Sequence, residues 1–231
     1  MNEPVDRYAQ LLQRLEANER EFRRLGRSVL RVQEDERRRL ARELHDGVGQ
    51  NLTALKHRLA QLRDAADVDP TLRDALDAAV ALCADTLEDT RELSRLLRPT
   101  ILDDLGLEPA LRWLGRSVGQ AAGISIAVEV EPLPPLDGER ETLLFRVAQE
   151  ALNNIAKHAQ ARSVLMRVVE RDGRLQLQIV DDGVGFDPSL RAAGSGLSGM
   201  RERLRLFAGT LEVHSAPGDG TRLRAVVPLD A

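Results

Sequence analysis

Residues 150–159 read Glu150-Ala-Leu-Asn153-Asn154-Ile-Ala-Lys157-His158-Ala159, and this stretch decides the fold of the C-terminal half. At spacings i, i+4, i+7 and i+8, Glu150, Asn154, Lys157 and His158 share one face of a helix. Leu143, Leu144, Val147, Ala151 and Ile155 share another. Such a helix buries one face and offers a carboxylate, an amide, an ammonium and an imidazole together on the other. Oxygen donors with retained waters suit Mg²⁺, and lysine is a compact point charge for phosphate. Lys157 stands out because, of 33 Lys and Arg residues, only it and Lys56 are lysine. Taken alone, the pattern is explained equally well by a plain solvated face.

Around this helix, expected over 137–159 with Asp137 as its cap, the chain alternates like strands. Ser163–Glu170 and Arg174–Val180 flank an Asp172-Gly173 turn, and Leu211–Ser215 and Arg222–Pro228 flank Pro-Gly218-Asp-Gly220. Ile124–Val130 reads as a further strand and Leu107–Ala121 as a helix. Strands beside helices without strict alternation predict an α+β two-layer sandwich. Two glycine-rich segments lie within it. Asp181-Asp182-Gly183-Val184-Gly185 follows a strand, where a carboxylate can accept a hydrogen bond from an exocyclic amine; a plain turn explains it as well. Gly194-Ser195-Gly196-Leu197-Ser198-Gly199 leads into a helix whose N-terminus suits phosphate. No βαβ unit precedes it, so it is not a dinucleotide fingerprint, and no G-x-x-x-x-G-K-[ST] loop is present.

The first hundred residues are different. Prolines occur there only at Pro4, Pro70 and Pro99, leaving room for two long helices, about Val5–Asp64 and Thr71–Leu97. Tyr8, Leu11, Leu15, Phe22, Leu25, Val29 and Val32 form a heptad seam, with Asn18 as a polar member that can set register. Leu52, Leu55, Leu59 and Leu62 form a second seam out of phase with the first, which places a stutter between Val32 and Leu44. One hairpin cannot cover its own apolar stripe, so a homodimeric four-helix bundle is expected. On the first helix lies His45-Asp46-Gly47-Val48-Gly49-Gln50, with Asp46 and Gln50 toward the polar side. A carboxylate beside an imidazole can take its proton and leave the other ring nitrogen nucleophilic. Gly47 and Gly49 each cost about 1 kcal/mol in a helix interior, which close approach of another domain would justify. A solvated surface histidine remains the plainer reading of that segment alone.

Composition narrows the function. The 231 residues carry a net charge of −4, which gives no footprint for nucleic acid. Aromatics are 3% of the chain, too few for base stacking along a single strand. The single cysteine, Cys83, excludes an internal disulfide framework and a cysteine-based zinc site. No run approaches the ~20 apolar residues of a membrane span and no signal peptide is apparent, so a cytoplasmic chain without membrane contact is expected.

In this order the motifs resemble the catalytic core of a bacterial two-component sensor histidine kinase, of the nitrate-sensor-type subfamily with an H-D-x-x-x-Q phosphoacceptor box. The four further segments resemble the N, G1 and G2 boxes and the closing Gly218-Asp-Gly220-Thr221 of a GHKL (Bergerat) ATP-binding fold. Leu97-Arg-Pro99-x-x-Leu-x-x-Leu105-Gly-Leu resembles the family's junction. The resemblance implies 1–33 as a coiled-coil signalling helix, 34–98 as dimerisation and phosphotransfer domain, 99–108 as hinge and 109–231 as the catalytic ATP-binding domain. It implies His45 as phosphoacceptor, Asp46 as general base and Gln50 as the phosphatase residue. For ATP it implies Glu150, Asn154, Lys157, His158, Asp181, Gly183, Gly185, Gly194, Ser195, Gly196, Leu197 and Thr221. Asn154 would ligate Mg²⁺, and Glu150 would act nearby through water. The partners implied are a second copy and the receiver domain of a response regulator, itself a DNA-binding protein. Ser195 stands where the family often has histidine, and the lid over 187–194 is short. The intact His45, Asp46, Asn154 and Asp181 argue against a coiled-coil adaptor that only senses nucleotide, and an ATPase of the gyrase–MutL type or a serine kinase of the anti-sigma type would leave the His45 bundle unexplained.

Overall fold

The computed structural model describes residues 3–65, 69–97, 100–187 and 195–229. Two compact units emerge, one of residues 30–100 and one of 1–29 with 101–231.

Helix α1 (Glu3–Glu43) runs into a π-helical turn (Leu44–Gly49) and then α2 (Gln50–Arg63). Helix α3 (Pro70–Leu97) returns beside α2. Asp69 starts α3 by accepting the Thr71 N–H at 3.0 Å, and Arg63 pairs with Asp77 across the hairpin at 3.1 Å. Ala41, Cys83, Leu87 and Thr90 are buried, and Ser94 Oγ donates to the Ala41 carbonyl at 2.9 Å. The π turn was not expected. It widens the helix by a residue, and a residue is worth about 100° of rotation. The turn lies directly after the Val32–Leu44 interval in which the stutter is expected. Gly47 and Gly49, the two poorest α-helix formers in the segment, sit inside it.

α2 buries none of its residues. Leu55, Leu62, Leu72, Leu82 and Leu93 remain more than two-fifths exposed, as do Leu11, Leu15, Phe22, Leu25, Val29 and Val32 of α1. A single copy leaves both seams uncovered.

The second unit is a two-layer sandwich. Helix α4 (Thr100–Leu105) precedes α5 (Leu107–Ala122), strand β1 (Ser125–Val130) and α6 (Gly138–Asn154), which ends in another π turn (Ile155–Ala159). Then come β2 (Ser163–Arg171), β3 (Arg174–Asp181), α7 (Ser195–Leu206), β4 (Thr210–Ser215) and β5 (Thr221–Pro228). The strand order is β1-β2-β3-β5-β4, parallel between β1 and β2 and antiparallel elsewhere. α5 packs on β1 and α6, and α7 on α6 and β4. Asp137 caps α6 by accepting the Arg140 N–H at 2.8 Å, a contact of about 1 kcal/mol. Asp172 and Gly173 both take positive φ, as a two-residue hairpin turn with right-handed strand twist requires. Leu144, Phe145 and Leu152 of α6 meet Met166, Leu177 and Ile179 of the sheet in a fully buried core. No described helix is long and apolar enough to cross a membrane.

Candidate active site

The buried side of β3 runs Leu175, Leu177, Ile179, Asp181. Strand parity thus carries a carboxylate onto the apolar side at the end of the strand. Asp181 is only 5% exposed. Its carboxylate accepts the Gly183 N–H at 2.9 Å and hydrogen bonds from the backbone and hydroxyl of Thr221. Burial raises its pKa above the ordinary 3.8, against the pull of those donors.

Asp181 and Thr221 line a cavity of about 440 Å³. Ile155, Ile179, Val184, Met200, Val213 and Leu223 give it apolar walls. Its polar side is α6 and the π turn beyond it, with Glu150, Asn154, Lys157 and His158 all on the lining, together with Gly185, Gly196 and Leu197. The helix face read from spacing alone is therefore assembled as expected. The exception is local geometry: α-helical repeat stops at Asn154, and Lys157 and His158 ride on the π turn, which ends at Gln160 with φ 52°. Such turns occur frequently at functional sites.

Close approach of backbone requires glycine at Gly183 and Gly185, and Gly196 packs against two side chains of α6. A Cβ on Gly183 would lie 2.3 Å from the Ala159 carbonyl, and one on Gly196 would lie 2.3 Å from Glu150 Oε1 and 3.2 Å from the Asn154 amide nitrogen. The first turn of α7 thus sits directly on the Glu150–Asn154 pair. A carboxylate and an amide beside a helix N-terminus fit a triphosphate and its Mg²⁺: the metal takes oxygen donors and keeps waters, and the backbone N–H groups take anionic oxygens. No group of three or more His, Cys, Asp and Glu able to hold a metal ion occurs among the described residues. Gly194 lies outside the described residues, as do the side chains of His45 and Ser195 and most of the 187–194 lid.

Asp182 was not assigned a role from sequence. Its carboxylate accepts the N–H groups of Arg162 and Ser163 at 2.7 and 2.9 Å and the Ser163 hydroxyl at 2.7 Å. These donors lower its pKa from 3.8 to about 2. A folded-state pKa below the unfolded value means stability present above about pH 4 and lost as pH falls toward 2. Asp182→Asn should melt lower than the parent at pH 6, with the gap shrinking at pH 3 in a thermal scan.

In the other unit, Asp46 and Gly47 of the first π turn line a shallow hollow with Arg39, Arg42 and Glu43. Asp46 and Gln50 are exposed, in keeping with their place on the polar side of the helix. A Cβ on Gly47 would meet nothing within 4 Å.

A hairpin bearing a histidine–aspartate box, joined to an ATPase sandwich with this cavity, defines a protein-histidine kinase core. Comparison with known proteins agrees. Residues 36–102 match the family described as histidine kinase, and 139–231 match the histidine kinase-, DNA gyrase B- and HSP90-like ATPases. Sensor histidine kinase MctS of Rhizobium johnstonii is 37% identical over 214 residues, 90% of this chain and 46% of that protein. The signal transduction histidine-protein kinase/phosphatase UhpB of Salmonella typhimurium is 35% identical over 227 residues, 97% of this chain and 45% of that protein. The chain thus spans about half the length of these relatives. The histidine kinase domain of a blue-light activated histidine kinase from Erythrobacter litoralis EL346 shares the fold, with a TM-score of 0.51 at 20% identity over 78% of this chain and 94% of that one. Residues 36–102 thus belong to the histidine kinase family and residues 139–231 to the histidine kinase-, DNA gyrase B- and HSP90-like ATPases, an order of domains shared with proteins named sensor histidine kinases.

Proposed function

We propose that the chain binds Mg·ATP in the sandwich cavity and transfers the γ-phosphoryl group to His45. The observation that carries this reading is the buried Asp181 carboxylate in a cavity whose opposite wall is Glu150, Asn154, Lys157 and His158. Asp181 accepts the adenine amino group, the apolar walls hold the ring, and Gly183 and Gly185 let the backbone close on it. Lys157 and His158 meet phosphate oxygens, and the first turn of α7, from Ser195 through Gly196 to Leu197, faces the same group. Asn154, with Glu150 acting through water, would hold Mg²⁺, which would supply charge neutralisation at the phosphates. Phosphoryl transfer needs mostly positioning and charge neutralisation of this kind.

At the bundle, one ring nitrogen of His45 attacks the γ-phosphorus and the β–γ bridging oxygen leaves with ADP. Asp46 takes the proton from the other ring nitrogen, which keeps electron density on the attacking one. The phosphoryl group then passes to an aspartate in the receiver domain of a response regulator, a DNA-binding protein; this chain itself contacts neither nucleic acid nor membrane. Gln50, one turn on from Asp46, positions water when the same surface removes phosphate from that regulator. Domain limits follow this division: 1–33 for signalling, 34–98 for dimerisation and phosphotransfer, 99–108 as hinge, 109–231 for catalysis. A second copy covers the exposed leucine seams, and the whole works in the cytoplasm, where ATP and the regulator meet it.

The test is autophosphorylation with γ-labelled ATP in the parent chain and in Asn154→Ala. The parent should take up label, and the variant should do so about 100-fold more slowly, the loss typical of removing one group that stabilises transferring charge. Alanine is a strong helix former, so α6 should remain folded. Equal rates would refute the assignment of Asn154 to the metal and phosphates.

A further inference from the structure

Ser215 is the last residue of β4, and its hydroxyl joins two segments that converge on the nucleotide cavity. Oγ accepts the Phe186 N–H at 2.9 Å and donates to the Gly220 carbonyl at 2.8 Å. It also lies 3.2 Å from Thr221 Oγ1. Phe186 leads directly from the Gly183–Gly185 turn toward the lid. Thr221 in turn holds Asp181 through both its N–H and its hydroxyl. The Ser215 hydroxyl thus holds Phe186 at the root of the lid and, through the Gly220 carbonyl, the residue directly before Thr221, whose N–H and hydroxyl bind the Asp181 carboxylate.

The same two segments are pinned beside it. The Gly218 N–H donates to the Val184 carbonyl at 2.7 Å. Gly185, at φ 61°, passes so close that a Cβ would fall 2.0 Å from the Ala216 carbonyl oxygen. These backbone contacts set the approach of the two segments. The serine hydroxyl is the side chain that ties that approach to Thr221 and hence to Asp181.

We infer that Ser215 is a positioning residue for nucleotide: it fixes the lid root and the Thr221–Asp181 pair in one arrangement, so that the cavity is preformed for ATP. The inference rests on the ATP reading of the cavity given above. Ser215 lines no part of the cavity itself, so its effect passes through Phe186 and Thr221. Alanine at this position removes the acceptor offered to Phe186 and the donor offered to Gly220 while leaving the backbone pins in place.

The experiment measures autophosphorylation rate against ATP concentration in the full chain, for the parent, Ser215→Ala and Ser215→Thr, with thermal melting of each. Ser215→Ala should raise the KM for ATP about fivefold to tenfold, the effect of one or two neutral hydrogen bonds, with kcat within twofold. Ser215→Thr, which keeps a hydroxyl and suits a strand, should restore KM to within twofold of the parent. An alanine variant with unchanged KM overturns the inference, and so does a lower kcat at unchanged KM, because that pattern reports only fewer folded molecules. A parent chain that neither binds ATP nor labels itself would overturn the nucleotide reading as a whole, whereas a normal parent beside an unaffected alanine variant overturns the Ser215 assignment alone.

Discussion

His45→Gln should take up no detectable phosphate from γ-labelled ATP, while its affinity for ATP stays within twofold of the parent. The two halves of that result have separate causes. The glutamine amide has no nucleophilic nitrogen lone pair to replace imidazole, so the phosphoryl group has no acceptor. The nucleotide cavity is lined by residues between Glu150 and Leu223, none of which the substitution touches. Glutamine is also at least as good a helix former as histidine, so the helix carrying Asp46 and Gln50 is expected to persist. Labelling and titration calorimetry on the same preparation separate acceptor from binding site.

Asp181→Asn should behave in the opposite way, weakening ATP binding about 100-fold and losing autophosphorylation through failed binding. The carboxylate accepts from Gly183 and twice from Thr221, and the proposed adenine amine adds another donor. An asparagine in the same place turns an NH₂ toward one of these donors. Hydrogen bonds to a charged acceptor are worth roughly 1.5–3 kcal/mol, and 100-fold corresponds to about 2.7 kcal/mol. The same logic gives a pH dependence. Burial raises the Asp181 pKa above the ordinary 3.8, and the ionised form is the stronger acceptor for the adenine amine. ATP affinity of the parent should therefore fall on acidification at a pH above the usual aspartate range. Asp181→Asn, with nothing to titrate there, should lose that part of the dependence. Calorimetric titrations with ATP at a series of pH values read both.

Much of this was legible because the deciding residues obey simple periods. The Glu150–Asn154 pair follows helical spacing, and strand parity carries Asp181 to the buried side with Ile179 and Leu177. The Asp137 cap and the Asp172-Gly173 turn have residue types that name their geometry. Three features were not legible, each for a physical reason. A π turn adds one residue to a helix, and a pattern read at a fixed 3.6-residue repeat does not register its place, so the turn at Leu44–Gly49 is not visible as such. Asp182 reads as the second residue of an Asp-Asp-Gly turn, while its role depends on Ser163, which the fold of β2 against β3 brings to it. Ser215 ends a strand like many serines, and its three contacts come from segments that meet only in the folded sheet.

The central claim is that phosphate from ATP comes to rest on an imidazole nitrogen of this chain. The direct measurement is the chemical stability and location of the protein-bound label after incubation with γ-labelled Mg·ATP. The label should be released by acid, preserved by alkali and recovered on the peptide containing His45. Label that survives acid, label on another peptide, or release of phosphate from ATP with none retained by the protein would contradict it.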